Sequence, residues 1–165
     1  MLSMISKAEF KFSYTVYETS NELNHLDHEL LNEARAVTQF AYAPYSNFKV
    51  GAVARLINGE TVRGTNQENA SYPAGLCAER VLLSSASALF PGVAIETMAI
   101  SYDNVTGSSD KPASPCGICR QTLTEFQQRT EHPIRIILGG QQGEVQVIEN
   151  AEQLLPFCFG SNDLN

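Results

Sequence analysis

The chain reads Cys-Ala-Glu-Arg at residues 77–80 and Pro-Cys-Gly-Ile-Cys-Arg at residues 115–120. Three thiolates, from Cys77, Cys116 and Cys119, can hold Zn²⁺ in a tetrahedron and leave the fourth coordination position for water. That open position is typical of a catalytic rather than a structural zinc site. Glu79 follows one predicted ligand by two residues and is placed to move protons to and from the water. The two segments therefore predict a zinc centre with a proton carrier beside it.

Each segment is also predicted to begin a helix. The first helix is predicted over 77–89, and the second is predicted to start at about Cys116, after Ser114 as cap and Pro115 in the first turn. Cys116 and Cys119 then lie three residues apart on one helix face. Helix N-termini favour anions and lower thiol pKa values, so thiolate ligands suit these positions. The same ligands with a nearby glutamate serve zinc-dependent nucleobase deaminases.

The rest of the chain alternates between predicted strands and helices. The fold class predicted from this order is α/β: a three-layer α/β/α sandwich with a mixed five-stranded sheet. Residues 1–22 are predicted to be an N-terminal extension with an extra strand, and residues 23–165 the catalytic domain. Asn58-Gly59 predicts a type I′ hairpin turn. The remaining predictions are strands at 8–17, 48–57, 60–65, 93–102, 134–138 and 145–148, and helices at 22–41, capped by Ser20 or Asn21, and 151–155.

Charge and composition limit the partners. The formal net charge is −7 and the sequence contains no basic run, whereas nucleic-acid binding depends on a surplus of Lys and Arg. We therefore expect neither nucleic acid nor a membrane as the main partner. No apolar stretch approaches the ~18 residues that a spanning helix needs, and the N-terminus lacks a signal-peptide core. These features predict a cytoplasmic protein, in which close cysteine pairs indicate metal or redox chemistry.

The predicted ligand set calls for a nearby cation. Three thiolates and Zn²⁺ carry a combined charge of about −1, which weakens the ability of the metal to acidify water. Arg80 and Arg120 each follow one of the two segments, and either could donate hydrogen bonds to ligand sulfurs. We favour Arg80 for this role.

Two other interpretations of the cysteines are open at this stage. A fourth ligand, Cys158, would close the tetrahedron and make the zinc structural. Cys116 and Cys119 could instead form a redox dithiol, although that function would require neither Cys77 nor Glu79. Cys158 lies between two phenylalanines and is also a good candidate for an ordinary buried side chain.

From about residue 30 to its end, the chain resembles the small, homotetrameric, all-cysteine cytidine deaminases. The resemblance covers both zinc segments and three further motifs in the expected order. These are Ala-Tyr-Ala-Pro-Tyr-Ser-Asn-Phe-Lys-Val-Gly-Ala at 41–52, Asn-Gln-Glu-Asn-Ala-Ser-Tyr at 66–72 and Leu-Leu-Pro-Phe-Cys-Phe at 154–159.

The resemblance implies a role for each matching residue. Phe48 would flank the pyrimidine, Asn66 and Glu68 would hold the ribose 3′-hydroxyl, and Phe159 would reach into a neighbouring subunit's site. The metal site would hold one zinc ion per subunit, and Glu79 would carry the proton. The implied reaction is hydrolytic deamination of cytidine and 2′-deoxycytidine to the uridine products and ammonia, in pyrimidine salvage.

Three rival functions remain at this stage. A modified nucleoside, such as the antibiotic blasticidin S, could be the substrate of the same chemistry. A nucleic-acid deaminase is disfavoured by the negative net charge and by the predicted binding of the 3′-hydroxyl by Asn66 and Glu68. A 3′-hydroxyl that is bound in this way cannot be linked to the next nucleotide of a strand. A zinc-stabilised binding module without activity would carry metal but leave cytidine unchanged.

Overall fold

The computed structural model describes residues 5–164, so the first four residues of the predicted extension and Asn165 lie outside it. Three α-helices, six strands and several short 3₁₀ turns follow one another along the described chain. The helices are α1 (His25–Val37), α2 (Ala78–Leu89) and α3 (Gly117–Thr130). The strands are β1 (Thr15–Tyr17), β2 (Phe48–Leu56), β3 (Thr61–Thr65), β4 (Ile95–Asn104), β5 (Arg135–Gly139) and β6 (Val145–Ile148).

The strands form one mixed sheet in the order β1-β6-β5-β4-β2-β3. β4 and β5 are parallel, and the other neighbouring strands are antiparallel. The α/β class and the mixed sheet are as predicted, but the sheet has six strands rather than five. The sixth is β1, which pairs with β6 at one edge of the sheet. The predicted strand over 8–17 is therefore regular only in its last three residues.

Helices cover both faces of the sheet and create two hydrophobic clusters. Successive residues of a strand point to opposite faces, and β2 follows this rule. Ala52 and Ala54 pack with α2 and α3, whereas Val53 packs with α1. The result is the predicted three-layer sandwich, with α2 and α3 together on one face. No helix in the described part of the chain is long and apolar enough to cross a membrane.

The cap of α1 differs from the prediction. Residues Ser20–Glu22 form a separate 3₁₀ turn, so the α-helix begins later than the hydrophobic pattern suggests. Asn24 is the cap, and its side-chain oxygen accepts a hydrogen bond from the Asp27 backbone N–H at 3.0 Å. Neither Ser20 nor Asn21 caps α1.

The hairpin between β2 and β3 is real, but its turn is not type I′. Gly59 has a φ of +87°, whereas Asn58 does not have a positive φ. The Gly59 backbone N–H donates to the Leu56 carbonyl at 2.9 Å, and Leu56 N–H donates to the Glu60 carbonyl at 2.8 Å. This three-residue loop with a left-handed glycine is the other common way to close a hairpin.

Gly64 brings α2 close to the sheet. A Cβ at this β3 position would lie 2.3 Å from the Ala78 carbonyl oxygen and 2.6 Å from the Leu82 backbone nitrogen. Only glycine permits this approach, because real Cβ atoms do not come so near to backbone atoms. The first turn of α2, which follows Cys77, is therefore seated directly on β3.

Candidate active site

Two of the predicted metal ligands occupy the N-termini of two helices. Cys77 is the N-cap of α2 and Cys116 is the N-cap of α3, both with extended backbone. The predicted cap and first-turn proline, Ser114 and Pro115, therefore lie just outside α3. Cys119 lies within the first turn of α3 and is fully buried. Helix N-termini carry partial positive charge, so the converging ends of α2 and α3 favour anionic groups.

The three sulfur atoms are spaced as a zinc ion requires. The Cys77 and Cys116 sulfurs are 3.7 Å apart, those of Cys116 and Cys119 are 3.4 Å apart, and all three lie within 4.8 Å of one another. A tetrahedral ion with Zn–S bonds of about 2.3 Å places its sulfurs about 3.8 Å apart. None of the three cysteines is in a disulfide. The donor set therefore fits zinc.

The thiols differ strongly in acidity. The pKa of Cys77 is lowered to about 6, mainly because Cys119 hydrogen-bonds to it, with Cys116 and the positive charge of Arg80 also contributing. The pKa of Cys119 is raised by that same bond with Cys77 and by burial. Of Cys77 and Cys119, Cys77 is therefore the thiol that loses its proton first.

Cys158 does not belong to the cluster. It is half-buried in the C-terminal tail, and its sulfur accepts a weak hydrogen bond from the Gln128 side chain at 3.9 Å. Within residues 5–164, the group that could hold a metal consists of Cys77, Cys116 and Cys119 alone. A closed four-cysteine zinc site is therefore not formed in this fold.

The two candidate arginines have different surroundings. The Arg120 guanidinium donates to the backbone carbonyls of Pro115 at 2.9 Å and Leu154 at 3.1 Å. It therefore ties the start of α3 to the 3₁₀ turn at Ala151–Leu154. Arg80 is half-buried on α2, and its charge lowers the pKa of Cys77. Arg80 therefore stays the predicted electrostatic partner of the cluster.

Glu79 lies in the first turn of α2 and is 5% exposed. Burial raises the pKa of its carboxyl group, and hydrogen bonds from its own backbone N–H and from Cys119 oppose that shift. A raised pKa makes the carboxyl group a better proton acceptor and so favours a general acid–base role.

A cavity of about 320 Å³ joins the cysteine cluster to the predicted substrate contacts. Its size falls in the range of small-molecule sites. The structure thus brings together six residues that the sequence singled out, although they are dispersed over 69 positions. They are Phe48, Asn66, Glu68, Cys77, Glu79 and Cys116. The same cavity is also lined by residues for which no binding role was predicted, among them Gln67, Tyr72, Leu76 and Ser114.

The Asn66 side chain hydrogen-bonds to the backbone at the beginning of β2. Its side-chain oxygen accepts from the Val50 backbone N–H at 2.7 Å, and its amide nitrogen donates to the Phe48 carbonyl at 2.9 Å. An asparagine amide has two donors and an acceptor with two lone pairs, so one N–H and one lone pair remain for a ligand.

Glu68 is held by the segment that precedes β2. One carboxylate oxygen accepts from the Tyr45 backbone N–H at 2.9 Å and from that of Ser46 at 3.3 Å, and the other accepts a hydrogen bond from the Ser46 hydroxyl. These bonds, chiefly that of the Ser46 hydroxyl, lower the pKa of Glu68. Ser46 was not predicted, because no local pattern indicates that it faces a residue 22 positions away.

Phe48 stacks on a second aromatic ring. The ring centroids of Phe48 and Tyr102 are 4.6 Å apart, and the ring planes differ by 13°. Tyr102 is 7% exposed. This pair was not predicted, because it depends on the pairing of β2 with β4, which no local pattern indicates.

Phe159 is 60% exposed, and Phe157 is fully exposed. The backbone carbonyl of Phe159 accepts a hydrogen bond from Gln121 of α3 at 2.7 Å, which fixes the tail against that helix. Within the described part of this chain, Phe159 is not among the residues that line the cavity.

Comparison with known proteins identifies similar sequences and folds. Residues 24–131 match the family model described as the cytidine and deoxycytidylate deaminase zinc-binding region. The cytidine deaminase of Halalkalibacterium halodurans is 38% identical over 136 residues, which is 82% of this chain and 96% of that protein.

Solved structures of cytidine deaminases have a fold similar to that of this chain. The cytidine deaminase from Burkholderia pseudomallei superposes with a TM-score of 0.70 at 39% identity, covering 83% of this chain and 100% of that one. The cytidine deaminase from Mycobacterium tuberculosis gives a TM-score of 0.61 at 29% identity, covering 80% of this chain and 95% of the other.

Proposed function

The chain belongs to the cytidine and deoxycytidylate deaminase family, and we propose that it is a cytidine deaminase. It hydrolyses cytidine, and by this proposal 2′-deoxycytidine, to the corresponding uridine with release of ammonia. The observation that carries the proposal is the position of Glu79, a buried carboxyl group that shares one cavity with the three-sulfur cluster and with Asn66 and Glu68.

Cys77, Cys116 and Cys119 would hold the zinc ion, one per subunit. When bound, zinc supplies Lewis acidity, which makes a water molecule acidic enough to act as nucleophile at neutral pH. Glu79 would take one proton from the water and deliver it to ring N3 as the oxygen adds to C4. It would then take the remaining hydroxyl proton of the adduct and deliver it to the 4-amino group, which leaves as ammonia while the C4 carbonyl forms. Its burial supports this role, because it raises the pKa of the carboxyl group towards the working pH.

Arg80 would offset the negative charge of the sulfur ligands. Its charge already favours the ionised form of Cys77, whereas the hydrogen bonds of Arg120 are made with two backbone carbonyls. This difference supports Arg80 as the electrostatic partner of the metal centre.

The nucleoside would be held at both ends of the cavity. Phe48 would pack against the pyrimidine ring. Asn66 keeps one N–H to donate, and Glu68 accepts three of the roughly four hydrogen bonds that a carboxylate can take, so one site remains for a hydroxyl. Their shared cavity supports a joint grip on the ribose 3′-hydroxyl.

We also infer a homotetramer in the cytoplasm, with Phe159 completing the site of a neighbouring subunit. The exposure of Phe157 and Phe159 supports an aromatic tail that is covered by another subunit. The backbone bond from Gln121 would hold that tail in place before assembly.

The proposed division of the chain places an extension at 1–22 and the catalytic domain at 23–165. In support, the family match begins at residue 24, and β1 contributes only an edge strand to the sheet.

The direct test is the ultraviolet absorbance of cytidine mixed with the purified, zinc-loaded protein. Deamination predicts a spectral change to uridine and one equivalent of ammonia. A chelator-treated sample should lose the activity and regain it with added Zn²⁺. Cytidine that stays unchanged beside a zinc-loaded protein would contradict the proposal, and faster conversion of a single-stranded oligonucleotide or of blasticidin S would reassign the substrate.

A further inference from the structure

The cavity-lining residue Phe48 stacks on a second aromatic residue, Tyr102. Phe48 lines the cavity, whereas Tyr102 is not among the lining residues of the described chain and is almost completely buried. The near-parallel rings, 4.6 Å apart, form a two-ring wall on this side of the cavity. Tyr102 therefore contacts a residue that lines the cavity without lining the cavity itself.

The pairing of β2 with β4 explains how the two rings meet. Phe48 is opposite Asn104, and Val50 is opposite Tyr102, so the aromatic residues form a diagonal pair on one face of the sheet. Diagonal neighbours lie within reach of each other when the side chains are aromatic.

The backbone around both rings is already fixed. The Phe48 N–H donates to the Ser46 hydroxyl at 3.0 Å, and its carbonyl accepts from Asn66. The Tyr102 carbonyl accepts from the Gln141 side chain at 3.1 Å. The freedom that remains to Phe48 is the rotation of its own half-buried side chain, and the flat contact with Tyr102 restricts that rotation.

We propose that Tyr102 is a positioning residue for the nucleoside base: it holds the Phe48 ring in the orientation that meets the pyrimidine, without touching the substrate itself. This inference rests on the proposed function. The aromatic ring of Tyr102 carries the effect, and the hydroxyl group is dispensable. Removing the ring should weaken base binding and change the chemical step much less, because Glu79 and the cysteines belong to α2 and α3.

The test compares Tyr102→Leu with Tyr102→Phe by steady-state kinetics on cytidine and by calorimetric titration with uridine, the reaction product. Stacked aromatic pairs contribute enough to predict a rise of about 2- to 10-fold in KM and in the Kd for uridine for Tyr102→Leu. We expect kcat to change by less than about 2-fold, and Tyr102→Phe to keep the wild-type KM.

Phe126→Leu is the matched control for a general loss of stability. Phe126 is also a buried aromatic residue, at 3% exposure, and it packs under Arg129 on α3, away from the cavity. An equal rise in KM for Phe126→Leu and Tyr102→Leu would overturn the proposal, as would an unchanged KM for Tyr102→Leu.

A double-mutant cycle tests whether Tyr102 acts through Phe48. In a Phe48→Leu background, Tyr102→Leu should cause no further rise in KM, and two independent effects would overturn the proposal. If Tyr102→Leu does not fold, Tyr102→Met, which keeps much of the volume without a planar ring, takes its place in every comparison. A wild-type protein that binds uridine but does not deaminate cytidine would refute the proposed function, while the uridine titrations would still decide the role of Tyr102.

Discussion

Cys77 and Cys116 lie 39 positions apart in the sequence, yet their sulfur atoms are 3.7 Å apart and each residue caps a different helix. The contact joins α2 to α3 at their N-termini, where the positive ends of two helix dipoles converge. A metal ion bound there would link the two helices that cover one face of the sheet. The metal site and the packing of that face are therefore one structural unit.

Cys119→Ser should abolish stoichiometric zinc binding, because an alcohol is a far weaker zinc ligand than a thiolate. We expect the zinc content, measured by elemental analysis after gel filtration, to fall from about one ion per subunit to near zero, with loss of deamination. Cys158→Ser is the matched control, since that sulfur lies against Gln128, and it should keep its zinc. A zinc-free Cys158→Ser protein would restore the four-cysteine interpretation.

Glu79→Gln should keep the zinc ion and lose turnover. A positioned proton carrier contributes about 10²- to 10⁴-fold to the rate, and Glu79 would act in several steps, so we expect a loss at or beyond the upper end. The assay is cytidine deamination at saturating substrate, with zinc content measured in parallel. Glu125→Gln makes the same charge change at an exposed α3 position and should leave kcat intact. Near-normal turnover in Glu79→Gln would remove this residue from the mechanism.

Arg80→Ala should impair catalysis, whereas Arg120→Ala should impair stability. Loss of the Arg80 charge should lower kcat by about 10- to 100-fold while zinc remains bound, as for other residues that support metal ligands. Loss of Arg120 leaves the Pro115 and Leu154 carbonyls without their partner, which should reduce the free energy of unfolding by about 1–3 kcal/mol. Denaturant titration and activity assays separate the two, and an unchanged kcat in Arg80→Ala would exclude the electrostatic role.

Zinc binding should release protons in a pH-dependent number. The thiol of Cys77, with its pKa of about 6, is already ionised above that pH and protonated below it. Because the ligand must be a thiolate, lowering the pH through 6 should add about one proton released per zinc and weaken the affinity. Calorimetry of the metal-free protein in buffers of different ionisation enthalpy measures this number. A constant number between pH 5 and 7.5 would show that Cys77 is not the acidic thiol.

Phe159→Ala should raise KM for cytidine by about 2- to 10-fold if the ring stacks on the base in a neighbouring site. Phe157→Ala is the control, because it removes an even more exposed ring two positions earlier in the same tail. Sedimentation velocity must show the same oligomer for wild type and both variants. A monomeric, fully active wild-type protein would eliminate the shared site.

Local sequence patterns were sufficient to predict the cluster of Cys77, Cys116 and Cys119 and the helices that present it. Cys116 and Cys119 are one helical turn apart, so their proximity follows from helix geometry alone. The start of α2 at Cys77 was also predictable, whereas the cap of α1 was not, because the 3₁₀ turn at Ser20–Glu22 uses the residues that could have capped it. The hairpin turn also departs from its local pattern, because Gly59 adopts a positive φ and Asn58 does not.

The amino-acid sequence by itself determined which side chains can bind zinc and carry a proton, because residue chemistry and helical spacing are local properties. Only the tertiary structure decided which distant residues meet: Cys77 with Cys116, Ser46 with Glu68, and Phe48 with Tyr102. These contacts depend on the strand register and on the close packing of α2 against Gly64, and both arise from packing across the whole sheet. The sixth strand also depends on tertiary structure, because β1 is a strand only through its pairing with the edge of β6.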